Sequence, residues 1–138
     1  GLVSYNKKTR FKMRHDFDVL PRAEGWQLSN PPILTMATIR ASLDIFNEVG
    51  IENLTKKSKK LTGYFEFLIN ELNHKDIKII TPSNPNERGC QLSIQAKNAD
   101  KKLHQKLMEA GVITDWREPD VIRCAPVPLY SSFEDVYK

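Results

Sequence analysis

A chain of 138 residues, 40% of them hydrophobic and 28% charged, is long enough to enclose one core and has the composition of an ordinary soluble globular domain. Its 21 basic and 17 acidic residues leave a net charge of +4, too mild to imply a nucleic-acid partner without a clustered, aromatic-bearing patch. No apolar run approaches the about 18 residues of a membrane span, and no signal-peptide pattern, internal repeat or low-complexity segment is present.

Residues 1–25 are polar and irregular, with a basic cluster at Lys7, Lys8, Arg10, Lys12 and Arg14 that reads first as a solvated face. Phe17, Val19 and Leu20 fit a short strand ended by Pro21. Ser29-Asn30-Pro31-Pro32 is a helix-start signal: Ser or Asn caps, and proline suits the first helical position, where an N–H is not needed. Met36, Ile39, Leu43 and Phe46 then recur at three and four, giving one apolar stripe up to Gly50. A second amphipathic helix is predicted from Ile51 to Leu72, with Leu54, Leu61, Phe65, Leu68 and Leu72 inward and Lys56, Lys57, Lys59 and Lys60 on its wet side.

The period then changes. Residues 77–81 form a short β run in which Lys78 takes the wet side of an edge strand, and 82–86 form a loop. Cys90, Leu92 and Ile94 alternate with Gln91, Ser93 and Gln95, the pattern of a half-buried strand. Asp100 is placed to cap a helix carrying Leu103 and Leu107, which Gly111 closes. Residues 112–116 and 121–125 pair as a hairpin around 117–120, and Ser131 with Glu134 has the spacing of a capping box for a last helix. The sum is an α+β domain, a small, mostly antiparallel sheet with helices packed on it. The opening Gly1-Leu2-Val3-Ser4-Tyr5, without an initiator Met, and the stop soon after a helix start read as a piece of something longer.

Few residues suggest chemistry. His15, His74 and His104 belong to no ligand-spaced cluster, so no metal site is expected, and there is neither a nucleophile motif nor a phosphate-cradling glycine loop. Cys90 and Cys124 lack CxxC spacing and read as reduced, buried thiols of a cytoplasmic protein, with a disulfide as the less favoured alternative. Arg123 sits between apolar neighbours on a strand, with Val121 and Ala125 on its face and Ile122 and Cys124 on the other. A partly desolvated guanidinium needs an anion, either a carboxylate of its own chain, such as Glu118 or Asp120, or one carried by a ligand. Asn30 stands at a helix N-terminus, where it is either a plain cap or the border of an anion site.

Several segments resemble kynureninase. They are Thr9-Arg10-Phe11-Lys12-Met13, 25–34 (GWQLSNPPIL), Leu61-Thr62-Gly63-Tyr64, Ile80-Thr81-Pro82-Ser83, 87–92 (ERGCQL), 122–130 (IRCAPVPLY), Ser132-Phe133 and 135–138 (DVYK), in the family's order and over essentially the whole chain. SNPPI and R-x-APVPLY are specific together, whereas TRFKM alone is weak. The resemblance implies the C-terminal small domain of a fold-type I, pyridoxal-phosphate-dependent, cytoplasmic homodimer that hydrolyses kynurenine or 3-hydroxykynurenine to alanine and an anthranilate in tryptophan catabolism. It divides the chain into a connector, 1–28, from an absent large domain, and a small domain, 29–138.

By the same resemblance, Arg123 binds the substrate α-carboxylate and Asn30 lies at the cofactor and substrate edge, bordering the same opening. Where the family has Gly-Trp-Trp-Gly-His ahead of TRFKM, this chain has Gly1-Leu2-Val3-Ser4-Tyr5, so Leu2 is not given the cofactor-lining role of the first tryptophan. The Schiff-base lysine, the aspartate that pairs with the pyridinium and most phosphate ligands belong to the family's large domain, so the chain alone is expected to be inert, with no catalytic residue of its own. The competing readings are the small domain of another fold-type I pyridoxal-phosphate enzyme and a non-enzymatic basic binding module.

Overall fold

The computed structural model describes residues 4–12 and 14–138. Gly1, Leu2, Val3 and Met13 lie outside the described residues, and with them the Leu2 departure and part of the TRFKM segment. The chain divides into two compact units, Gly1–Glu48 and Val49–Lys138.

In the first unit the strand expected at 17–20 is reduced to one antiparallel bridge, Tyr5 with Val19. Backbone bonds from Asn6 N to Asp18 O (2.8 Å) and from Leu20 N to Ser4 O (2.9 Å) flank it, and the Tyr5 and Phe17 rings meet at 5.3 Å. Pro21 stops the pairing, and a 3-10 helix, Arg22–Trp26, follows. Gly25 is fixed by close approach, since a Cβ there would come within 2.3 Å of the Leu20 carbonyl oxygen.

Helix α1 runs Ile33–Val49 and starts after both prolines rather than at the first. Each residue ahead of a proline is pushed out of the helical region, so Asn30 and Pro31 are both excluded. The carbonyl that accepts the first helical bond is that of Pro32, from Met36 N at 2.9 Å. The cap expected of Ser29 or Asn30 is therefore not formed. The stripe of Met36, Ile39, Leu43 and Phe46 is present, but α1 buries no residue.

In the second unit, α2 spans Ile51–Glu71 and buries Leu54, Leu61 and Thr62, while Leu72 stays exposed. Strands β1 (Ile77–Ile79), β2 (Leu92–Ala96), β3 (Asp115–Arg117) and β4 (Val121–Cys124) form one sheet in the order β1-β2-β4-β3. All three pairings are antiparallel. The α+β expectation holds, and Lys78 sits exposed on an edge strand. β1 is shorter than expected because Thr81 turns its side chain to the ladder, its Oγ1 accepting from Ser93 N at 2.8 Å ahead of Pro82.

The register gives the sheet two unlike faces. Leu92 opposes Cys124, and Ile94 opposes Ile122, which in turn opposes Trp116. Leu92, Ile94, Ala96 and Ile122 are buried and, with Leu54 and Leu61 of α2, make the core. Helix α3 (Lys101–Glu109) is capped by Asp100, whose side chain accepts from Lys102 N, and is followed by Gly111 at φ 85°. It is tied to the chain before β3 by His104 Nε2 against Thr114 O at 3.1 Å. Helix α4 (Phe133–Tyr137) begins one residue later than the sequence suggests: its capping box is Ser132 with Asp135, not Ser131 with Glu134. Both spacings exist in the sequence, and the start after Ser132 brings the Phe133 ring edge-on to Tyr64 of α2 at 5.7 Å.

Candidate functional site

Arg123 stands on β4, an inner strand, on the face opposite the core. Directly across from it are Ser93 on β2 and Asp115 on β3. Its internal partner is Asp115, not Glu118 or Asp120. The reason lies in the register: the hairpin pairs Arg117 with Val121 and Asp115 with Arg123, so only Asp115 lies straight across from the guanidinium. Glu118 instead accepts from the Trp116 indole N–H at 2.9 Å, and Asp120 accepts from the Gln95 amide at 3.2 Å.

The pairing is side-on. Arg123 Nε donates to Asp115 Oδ2 at 2.8 Å, and Nη2 donates to the same oxygen. Arg117 Nη2 lies 3.1 Å from that oxygen too. One carboxylate thus serves two guanidinia. The hydrogen bond from Arg123, with the Arg117 and Arg123 charges, holds the Asp115 carboxyl below its ordinary 3.8 against the opposing effect of burial. The face carries Lys78, Arg117 and Arg123 against Asp115 and Asp120, so it is left with one positive charge in excess. The Arg123 side chain is 32% exposed, and its Nη1 has no acceptor among the described residues. The result is an arginine anchored along one edge, with Nη1 unpaired among the described residues, a geometry chemically suited to a carboxylate.

Asn30 belongs to the first unit. It is exposed, and its amide makes no hydrogen bond to a described residue, which leaves both its donor and its acceptor available. Among the described residues, no group of three His, Cys, Asp or Glu side chains is arranged to hold a metal ion. None of the described helices is long and apolar enough to cross a membrane. Both thiols are free, but neither is fully buried as the sequence suggests: each is half-buried, and partial burial pushes that of Cys124 up to about 11.

A more deeply buried ion pair has no local signal in the sequence. Arg88 Nη1 lies 2.6 Å from Glu66 Oε2 and 3.2 Å from Pro82 O, with only 3% of the arginine side chain exposed. It fastens the 82–91 loop to α2. Nothing local to ERGCQL marks Arg88 as buried; the pairing spans elements far apart in sequence.

Fold and site define a small α+β domain whose sheet has one apolar face and one polar, arginine-bearing face. A family model described as the kynureninase C-terminal domain matches residues 54–138, within the second unit. Over its full length the chain is 49% identical to the kynureninases of Koribacter versatilis and Myxococcus xanthus, covering 32% of each. It is 50% identical to that of Flavobacterium psychrophilum, with 99% of the chain aligned to 33% of the relative. The chain belongs to the kynureninase family, and it spans about a third of the length of the curated relatives it matches.

Proposed function

We propose that this chain is the C-terminal portion of a pyridoxal-phosphate-dependent kynureninase that hydrolyses kynurenine or 3-hydroxykynurenine to alanine and the corresponding anthranilate, with Arg123 as the receptor for the substrate α-carboxylate. The observation that carries this reading is Arg123 Nη1, without an acceptor among the described residues, on a sheet face with one excess positive charge. A planar guanidinium held along one edge offers two parallel N–H groups to a carboxylate and fixes the amino acid in one orientation. A lysine would offer charge without that plane.

The residues present fit an edge contact to the cofactor. Asn30 offers an exposed amide without a partner among the described residues, suited to hydrogen-bonding a polar atom of pyridoxal phosphate. When bound, the cofactor supplies an electron sink for carbon–carbon cleavage. Arg123 binds and orients, and Asn30 steadies the cofactor edge. Neither moves a proton in this reading, so the chain by itself turns over nothing.

The test is steady-state turnover of kynurenine by the holoenzyme that contains this chain. Arg123→Ala is expected to raise KM by about 100-fold, and Arg123→Lys to recover part of the loss. A KM for the alanine variant within about twofold of wild type would remove the carboxylate role.

A further inference from the structure

We infer that Asp115 is a positioning residue for substrate recognition: it clamps Arg123 along the Nε–Nη2 edge, so that the Nη1–Nη2 fork is the edge turned to an incoming carboxylate. The inference rests on the carboxylate role proposed for Arg123 and adds a residue to it. A guanidinium has five N–H groups in one plane and can pair an acid side-on, through Nε and Nη2, or end-on, through the two terminal nitrogens. Asp115 Oδ2 takes the first edge, with Nε at 2.8 Å. Nη1 has no acceptor among the described residues.

The clamp is set by the backbone. Asp115 and Arg123 are direct cross-strand partners, so the carboxylate arrives at a fixed height and side of the guanidinium. Arg117, 3.1 Å from the same oxygen, also holds Asp115 and offsets its charge. Without that second cation, Asp115 would neutralise Arg123 and repel an anionic guest. With it, Asp115 orients Arg123 while the cluster keeps a positive charge.

The experiment compares Asp115→Asn and Asp115→Glu with Arg123→Ala in the holoenzyme. The asparagine variant is expected to lower kcat by about tenfold while KM changes less than about threefold, because charge for binding remains but orientation is lost. The glutamate variant, with its charge one methylene displaced, should recover part of kcat, and it carries the same test if the asparagine variant folds poorly. A second readout needs neither cofactor nor turnover. In 15N spectra of the arginine side chains, the Arg123 Nε–H signal should be protected from exchange in wild type and lose that protection in Asp115→Ala. Asp115 variants with wild-type kinetics and an unchanged Nε–H signal, beside an impaired Arg123→Ala, would overturn the positioning role and leave the carboxylate reading standing. An unimpaired Arg123→Ala would overturn both.

Discussion

Asp115 and Arg123 face each other across β3 and β4, and one carboxylate oxygen accepts from Arg123 Nε at 2.8 Å while lying 3.1 Å from Arg117 Nη2. An arginine whose own chain supplies its counter-ion is usually a structural element. Here the counter-ion is divided between two cations, and the pair is partly exposed, with 32% of the Arg123 side chain and 47% of Asp115 open. In that setting the pair contributes little to stability and its value lies in geometry.

The Arg88–Glu66 pair is of the opposite kind. Arg88 is 3% exposed and Glu66 21%, and the bond between them holds a loop to α2. Glu66→Ala leaves a buried guanidinium without a counter-ion and is expected to cost about 3 kcal/mol. Arg88→Met keeps the packed stem, removes the charge and should cost about half as much. Urea unfolding of the two variants measures the order; a Glu66→Ala cost below about 0.5 kcal/mol would contradict it.

Acid should weaken the fold in a definite window. Three carboxyls are held below their ordinary 3.8: Asp16 by the Arg14 hydrogen bond, Asp115 by the Arg123 hydrogen bond, and Asp135 by the Ser132 backbone N–H of the capping box. A carboxyl with a depressed folded value adds stability above its unfolded value, and that stability is lost as pH falls through the folded one. The thermal midpoint should therefore change little on acidification until pH nears 3.8 and fall below it, with a shallower fall in Asp135→Asn. An equal slope in that variant would exclude the capping box as a contributor.

Much of this architecture is legible in the chain. The apolar alternation of Cys90, Leu92 and Ile94 foretells a strand with one buried face, though the strand begins only at Leu92, and Asp100 and Gly111 bound α3 as their chemistry requires. What is not legible is the choice between equally spaced local signals. Ser131 with Glu134 and Ser132 with Asp135 are both capping-box spacings, and only the start after Ser132 sets Phe133 against Tyr64. Helix start signals likewise mark the region before α1, but the steric rule for residues ahead of proline, applied twice, moves the start to Ile33. The partner of Arg123 was within reach of arithmetic. A hairpin that pairs 117 with 121 must pair 115 with 123, so register and not proximity in sequence selects Asp115 over Glu118 and Asp120.

The Cys124 thiol, raised to about 11 by burial, should stay protonated and unreactive at neutral pH. Iodoacetamide at about pH 8 is expected to leave it unmodified in the native protein and to label it on unfolding. Because its folded value lies above the unfolded one, the fold should lose stability as pH rises from about 9 toward 11. Rapid native-state labelling of Cys124, located by peptide mapping, would contradict the raised value.

Helix α1 presents Met36, Ile39, Leu43 and Phe46 at 55%, 50%, 53% and 43% exposure. A contiguous apolar stripe of this kind drives association. The isolated chain should sediment faster as its concentration rises, and Ile39→Glu should suppress the effect. A single species of 15.9 kDa at every concentration would count against it.

Recognition of a substrate carboxylate by Arg123 is measured by comparing kynurenine with its α-carboxamide in wild-type and Arg123→Ala holoenzyme. Wild type is expected to favour the acid by about 100-fold in kcat/KM and the variant by less than about threefold. A variant that keeps the full preference for the acid would show that the carboxylate is recognised elsewhere.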